Sequence, residues 1–144
     1  MTKKINKNKI PKDKPLKEFD LISKHLTGLS SGFKGALSLQ DDIAIIPKNS
    51  KTDYIITLDT IIEDTHFLKT ATPAQIANKL IRFNISDIAA SGGVPKYYFL
   101  TANLKPNMGD KWFTEFTAEL KKLQAEFSIN LAGGDTEKHS TDPK

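Results

Sequence analysis

Asp41 and Asp42, Asp59, Asp87 and Asp135 place carboxylates at intervals along a 144-residue chain, and Glu63, Asp64 and His66 crowd in just behind Asp59. The stretch YIITLDTIIEDTHF, residues 54–67, drives a β-branched run straight into this negative charge. Converging carboxylates repel one another unless something positive lies between them. A hard cation such as Mg²⁺ takes oxygen ligands in a near-octahedral arrangement and often bridges substrate phosphates. Dispersed acids together with the glycines of LAGGDT (131–136) suit a metal–nucleotide site better than a zinc site. The chain has three histidines, no cysteine and no HExxH pair, so the usual zinc ligand spacings are missing. Each residue also has an ordinary reading. Asp41 and Asp42 fit a solvated bulge, Asp59 a turn cap, Asp87 an exposed helix position, GGDT a turn, and His66 a satisfied histidine. Spacing alone therefore stops at a candidate magnesium site. Walker A, GxGxxG, GxSxG and HRD patterns are absent from the sequence, which argues against P-loop, dinucleotide, hydrolase and protein-kinase chemistry.

The elements that must position these groups follow from periodicity. LKEFDLISKHLTGL (16–29) has near-helical apolar spacing, with Gly28 as a stop. ALSLQDDIAIIP (36–47) reads as a strand interrupted by its acid pair, KNSKTD as a turn, and YIITLDT (54–60) as the next strand. A helix opens at Thr72 as N-cap with Pro73 in the first turn, and Gly92 and Gly93 end it. KYYFLTANL (96–104) is a third strand, MGDKWFTEFTAELKKLQAEF (108–127) an amphipathic helix, and INLAGGDT (129–136) a fourth strand. The order predicts an α+β fold with a single mixed β-sheet and helices on one face, its first two strands forming a hairpin.

Composition narrows the class further. The length allows one domain with a real core. No window is apolar enough for a transmembrane helix, and the lysine-rich start lacks the apolar core of a secretory signal. The absence of cysteine fits a cytoplasmic location. The net charge of +4 is unevenly spread. Residues 1–17 carry seven lysines against Asp13 and read as a disordered basic tail; the remainder holds 14 basic and 16 acidic residues, a net of −2. That balance argues against nucleic acid as a partner, because phosphate binding needs a basic surface.

Read in order, the segments resemble thiamine-monophosphate kinase, of the superfamily that includes aminoimidazole ribonucleotide synthetase. EFDLI (18–22) is similar to that family's opening helix and QDDIAII (40–46) to its G-D-D-[AC]-A strand. TLDTIIEDTHF (57–67) resembles [ST]-T-D-x-L-V-E-x-x-H-F. NISDIAASGGVP (84–95) resembles N-x-S-D-[IL]-A-A-M-G-A-x-P, and LAGGDT resembles L-x-G-G-D-T. The resemblance implies the N-terminal domain of the aminoimidazole ribonucleotide synthetase-like fold over residues 18–144, with the C-terminal domain absent. It also implies ATP-dependent phosphorylation of thiamine monophosphate to thiamine diphosphate, with Mg²⁺ as cofactor. Asp42, Thr57, Asp59, Asp87 and Asp135 are then the expected metal site. Gly134 and Asp135 would lie against ATP, and His66 near thiamine monophosphate. No residue is assigned as catalytic, since phosphoryl transfer asks mainly for alignment and charge neutralisation. A homodimer through the sheet and a companion C-terminal domain are further implied partners, with no membrane association.

Three departures stand beside the match. Gln40 replaces the family's glycine before the acid pair. Leu58 stands where a threonine is usual. The family's chain is also expected to be about twice as long, with the acceptor pocket largely in a second domain. The alternative reading is a non-catalytic remnant that folds and binds Mg-ATP without turnover.

Overall fold

Thr72 opens the helix that organises the molecule. Its hydroxyl accepts from the Gln75 N–H, and the Gln75 side chain accepts from the Thr72 N–H, a reciprocal capping box with Pro73 in the first turn. Such a cap satisfies amides that have no partner inside the helix. The helix, α2, runs Pro73–Ala90. Gly92 ends it at φ +71°, and the Gly93 N–H returns to the Ile88 carbonyl at 2.9 Å. The computed structural model describes residues 18–105 and 108–138; the basic tail expected over 1–17 lies outside them.

Among the described residues six helices and strands flank α2, and the seven stand in the expected order. They are α1 (Glu18–Leu21), β1 (Ile43–Pro47), β2 (Asp53–Thr57), α2, β3 (Tyr97–Leu104), α3 (Asp110–Phe127) and β4 (Asn130–Lys138). The first helix is shorter than its apolar spacing predicts. After Leu21 the coil widens over Ile22–Leu26 and tightens over Thr27–Ser30, so Gly28 lies inside a turn rather than ending a helix. The strand expected from residue 36 begins only at Ile43. Before it, Leu37, Ser38 and Leu39 all take left-handed backbone angles, which no strand can contain.

One core lies between the two long helices. Ile76, Ala77 and Ile81 of α2 meet Phe116, Leu120 and Leu123 of α3, with Ile129 beside them. These are the apolar stripes that the 3.6-residue period places on one face of each helix. Tyr98 and Leu100 of β3 pack against this cluster from the sheet side. Trp112 stacks on Phe116 with ring centroids 4.9 Å apart.

β1 and β2 pair antiparallel as the expected hairpin, from Ile43 opposite Thr57 to Pro47 opposite Asp53. Its turn is held by the Asn49 side chain, which accepts from the Lys51 and Thr52 N–H groups. β3 and β4 pair parallel across α3, with an irregularity where Ala132 is skipped between Leu131 and Gly133. The α+β class stands, but the described strands form two two-stranded sheets rather than a single mixed one. The cause is local. Beyond Thr57 the chain leaves the ladder, and the next amide that matters, Asp59 N–H, bonds a helix side chain instead of a neighbouring strand. The outer faces of both sheets stay apolar and uncovered. Ile46, Tyr54 and Ile56 lie outward on the hairpin, and Tyr97 and Phe99 on β3.

Candidate functional site: acids gathered where the hairpin meets a helix

The site is built where β2 runs out against α2. Thr57, the last residue of β2, points its hydroxyl inward between two acceptors, the Asp42 carbonyl at 2.9 Å and Asp87 Oδ2 at 3.1 Å. A hydroxyl has one proton, so it serves one acceptor at a time and leaves its lone pairs to other groups. Asp42 sits at the entrance to β1, next to Thr57 across the hairpin. Asp87 reaches from the last turn of α2. Asp59 follows two residues after Thr57, its N–H held by Asn84 Oδ1 at 3.0 Å. Two strand ends and one helix thus bring Asp42, Thr57, Asp59 and Asp87 together.

The electrostatics carry the signature of a gathered negative site. Burial pushes the Asp59 carboxyl above the ordinary carboxylate pKa; the Asp87 charge adds to this, Asp42 adds further, and His66 pulls the other way. Burial first, and neighbouring negative charge second, thus disfavour the ionised Asp59 carboxyl. Its donors are all oxygen, as a hard cation requires. Among the described residues no three acidic or histidine side chains stand close enough to share one ion as they are. Oxygen donors of this kind are the chemical type that holds Mg²⁺, which takes one or two carboxylates with water and phosphate oxygens completing its shell.

His66 lies on the loop just beyond. Its Nδ1 accepts from the Ile62 N–H at 2.9 Å, while its own N–H bonds the Ile62 carbonyl at 2.7 Å. With Nδ1 occupied as an acceptor, the neutral ring carries its proton on Nε2. The Lys79 ammonium donates to the His66 carbonyl and lies 5.0 Å from the centre of the Phe83 ring, fastening the loop to α2. Glu63 pairs with Lys105 at 2.5 Å with only 24% of its side chain exposed, tying the loop to the end of β3. Asp64 stays exposed, at φ +63° and paired with Lys69 on the surface.

Gly134 and Asp135 stand on β4 and join the rest less directly. No hydrogen bond links Asp135 to the other four; its carboxylate accepts from the Thr136 N–H at 2.9 Å. It pairs in register with Thr101, on the same outward face as Phe99. Gly134 is required for spacing, since a Cβ there would fall 1.8 Å from the Leu100 carbonyl oxygen. Two contributors escaped the sequence reading. These are Asn84 and Lys79; the three-residue spacing of Asn84 and Asp87, which puts them on one helix face, is the one available signal.

Residues 40–144 match the model of the AIR synthase related protein, N-terminal domain. The chain belongs to that family. It is similar to the thiamine-monophosphate kinase of Haemophilus influenzae, 36% identical over 122 residues that make up 84% of this chain and 37% of that protein. It is also similar to the thiamine-monophosphate kinase of Caulobacter vibrioides, 39% identical over 127 residues, 88% of this chain and 36% of that protein. A solved structure described as "AaThiL complexed with AMPPCP and TMP" superposes with a TM-score of 0.73 at 28% identity, over 85% of this chain and 38% of that one. The chain thus spans little more than a third of these relatives' length. Among the described residues no helix is long and apolar enough to cross a membrane.

Proposed function

We propose that this chain is the magnesium- and nucleotide-binding portion of a thiamine-monophosphate kinase, which moves the γ-phosphoryl group of ATP onto the phosphate of thiamine monophosphate. The observation that carries the reading is the convergence of Asp42, Thr57, Asp59 and Asp87, with the ionised Asp59 carboxyl disfavoured by burial and by neighbouring negative charge. The names of its relatives supply the substrates.

Asp59 and Asp87 are the primary holders of Mg²⁺, with Asp42 beside them and the Thr57 hydroxyl oriented by its two acceptors. When bound, the ion neutralises charge between two polyanionic phosphates, the main demand of phosphoryl transfer. Asp135 extends the same role from β4, and Gly134 lets nucleotide approach the backbone there. His66 presents Nε2–H, a donor suited to the acceptor's phosphate, while Nδ1 stays bonded to Ile62. Alignment of the two substrates supplies much of the rate in such reactions. A companion C-terminal domain, corresponding to the remaining length of the relatives, completes the acceptor side. The apolar outer faces carrying Tyr54, Ile56, Tyr97 and Phe99 support a homodimer through the sheets. A cysteine-free chain acting on ATP belongs in the cytoplasm.

Leu58 favours the second reading, a remnant that binds without turnover. Its side chain, 82% exposed beside Asp59, offers no oxygen ligand. Calorimetric titration of the 144-residue chain with a non-hydrolysable ATP analogue, with and without Mg²⁺, tests the first reading. Magnesium-dependent binding is expected, abolished in Asp42→Asn and in Asp135→Asn with circular dichroism unchanged. No binding by the folded wild-type chain overturns the assignment of the acids.

A further inference from the structure

The acidic pair does not assemble by itself. Asp59 and Asp87 repel, and Asp59 lies past the end of β2, where its main chain has no ladder partner. A half-buried amide in that position needs an acceptor from elsewhere. The acceptor is Asn84 Oδ1, at 3.0 Å. The other end of the same carboxamide donates to the Leu80 carbonyl four residues earlier in α2, also at 3.0 Å. This second bond fixes which way the amide faces, since only the oxygen can receive an N–H and only the nitrogen can serve a carbonyl. An asparagine bonded to the carbonyl four residues back is ordinary in a helix. One whose oxygen is simultaneously committed to a distant loop is not free to turn.

Asn84 and Asp87 lie three residues apart, on one face of α2. Asp87 receives the Thr57 hydroxyl, and Asn84 receives the Asp59 N–H. The outgoing end of β2 is therefore caught at two points by one helical turn. We propose that Asn84 is the positioning residue of this site: its carboxamide fixes the Asp59 main chain against α2 so that the Asp59 and Asp87 carboxylates are presented together to the cation. The inference rests on reading the acids as a magnesium–nucleotide site. Asn84 touches neither ion nor nucleotide; it acts through Asp59. Alanine removes both bonds. Aspartate keeps the acceptor oxygen but cannot donate to Leu80.

The test uses the full 144-residue chain as wild type, Asn84→Ala and Asn84→Asp. Amide hydrogen exchange by NMR reads the Asp59 N–H, and calorimetry reads the magnesium-dependent affinity for a non-hydrolysable ATP analogue. In Asn84→Ala, exchange at Asp59 is expected to rise at least about tenfold while amides within β1 and β2 keep their protection. Affinity is expected to fall about 10–100-fold, the usual effect of removing a group that orients a metal ligand. Asn84→Asp is expected to restore protection at Asp59, which separates the lost hydrogen bond from lost packing. Unchanged exchange at Asp59 in Asn84→Ala overturns the proposal. So does accelerated exchange with undiminished affinity, which would leave Asn84 a purely structural clip. A wild-type chain that binds no nucleotide sinks the functional reading instead; the exchange result then decides the role of Asn84, lost protection supporting it and retained protection overturning it.

Discussion

Gly134→Ala should break the molecule where fold and site meet. The added Cβ would lie 1.8 Å from the Leu100 carbonyl oxygen and 2.7 Å from its carbon, both backbone atoms of the paired strand β3. Real Cβ contacts essentially never fall under 3.0 Å, so the two strands must separate locally. An N–H···O bond near 2.9 Å stretched by about an ångström is no longer a hydrogen bond. Each ladder bond contributes about 0.5–1.5 kcal/mol net, so losing the two that flank the site costs about 1–3 kcal/mol. That lowers Tm by about 3–10 °C for a chain of this size. Asp135, the next residue, moves with the strand, and magnesium-dependent nucleotide affinity should fall as well. Gly133→Ala is the control. Its Cβ would meet only the Phe99 ring, at 3.4 and 3.5 Å, an ordinary contact with a side chain on the exposed face. Its stability should stay within about 0.5 kcal/mol of wild type. Thermal unfolding by circular dichroism, followed by titration, compares the pair. Equal behaviour of the two alanines would refute the argument from strand spacing.

Asp59→Asn should stabilise the ligand-free protein at neutral pH by at most about 1 kcal/mol, since solvent screens the repulsion at a partly exposed carboxylate. The sign follows from the raised Asp59 pKa. The folded state holds this proton more tightly than the unfolded state, so stability falls as pH rises from the ordinary value through the raised one, and stays lower above it. The gap between variant and wild type should close below the ordinary carboxylate value of 3.8; urea unfolding at stepped pH measures it, and a destabilised Asp59→Asn at pH 7 would contradict the repulsion. Leu123→Ala, at a site 1% exposed in the α2–α3 seam, should cost about 2–5 kcal/mol by denaturant unfolding; a loss under 1 kcal/mol would mean the seam is not the core.

Local signals made much of this legible. Thr72, Pro73, Gly92 and Gly93 bounded α2 correctly because caps and left-handed glycines act within a few residues. The hairpin and the apolar stripes of α2 and α3 were equally plain, since their periods are written in sequence. The break between the two sheets was not legible. It depends on where Asp59 N–H finds its acceptor, and that acceptor is 25 residues away. The opening helix failed for a different reason. The apolar spacing of residues 16–26 suits a helix, but among the described residues the α-helix is confined to Glu18–Leu21, wider and tighter coils follow over 22–30, and Phe19 remains 79% exposed. Periodicity states which face would be buried; it cannot supply the surface that buries it. The Glu63–Lys105 pair was invisible too, because nothing in the sequence shows that the end of β3 returns to that loop.

The acids themselves were legible one at a time, and their convergence is the work of a single helix. α2 has its apolar face, Ile76, Ala77 and Ile81, seated against α3, and that packing fixes its position. Further along, within the same arc as Ile76 and Ala77, it carries Asn84 and Asp87, which seize β2 at Asp59 and Thr57. At its start Lys79 holds the His66 carbonyl, and beyond its end Gly93 abuts Ile55 of β2 at a spacing that admits little more than glycine. Core packing along the helix therefore opposes charge repulsion near its C-terminal end. Neighbouring carboxylates stay close without a cation because the strand that carries one of them is fastened to the helix that carries the other. The repulsion left in Asp59 is the part the fold does not relieve, and it is the part a divalent ion would.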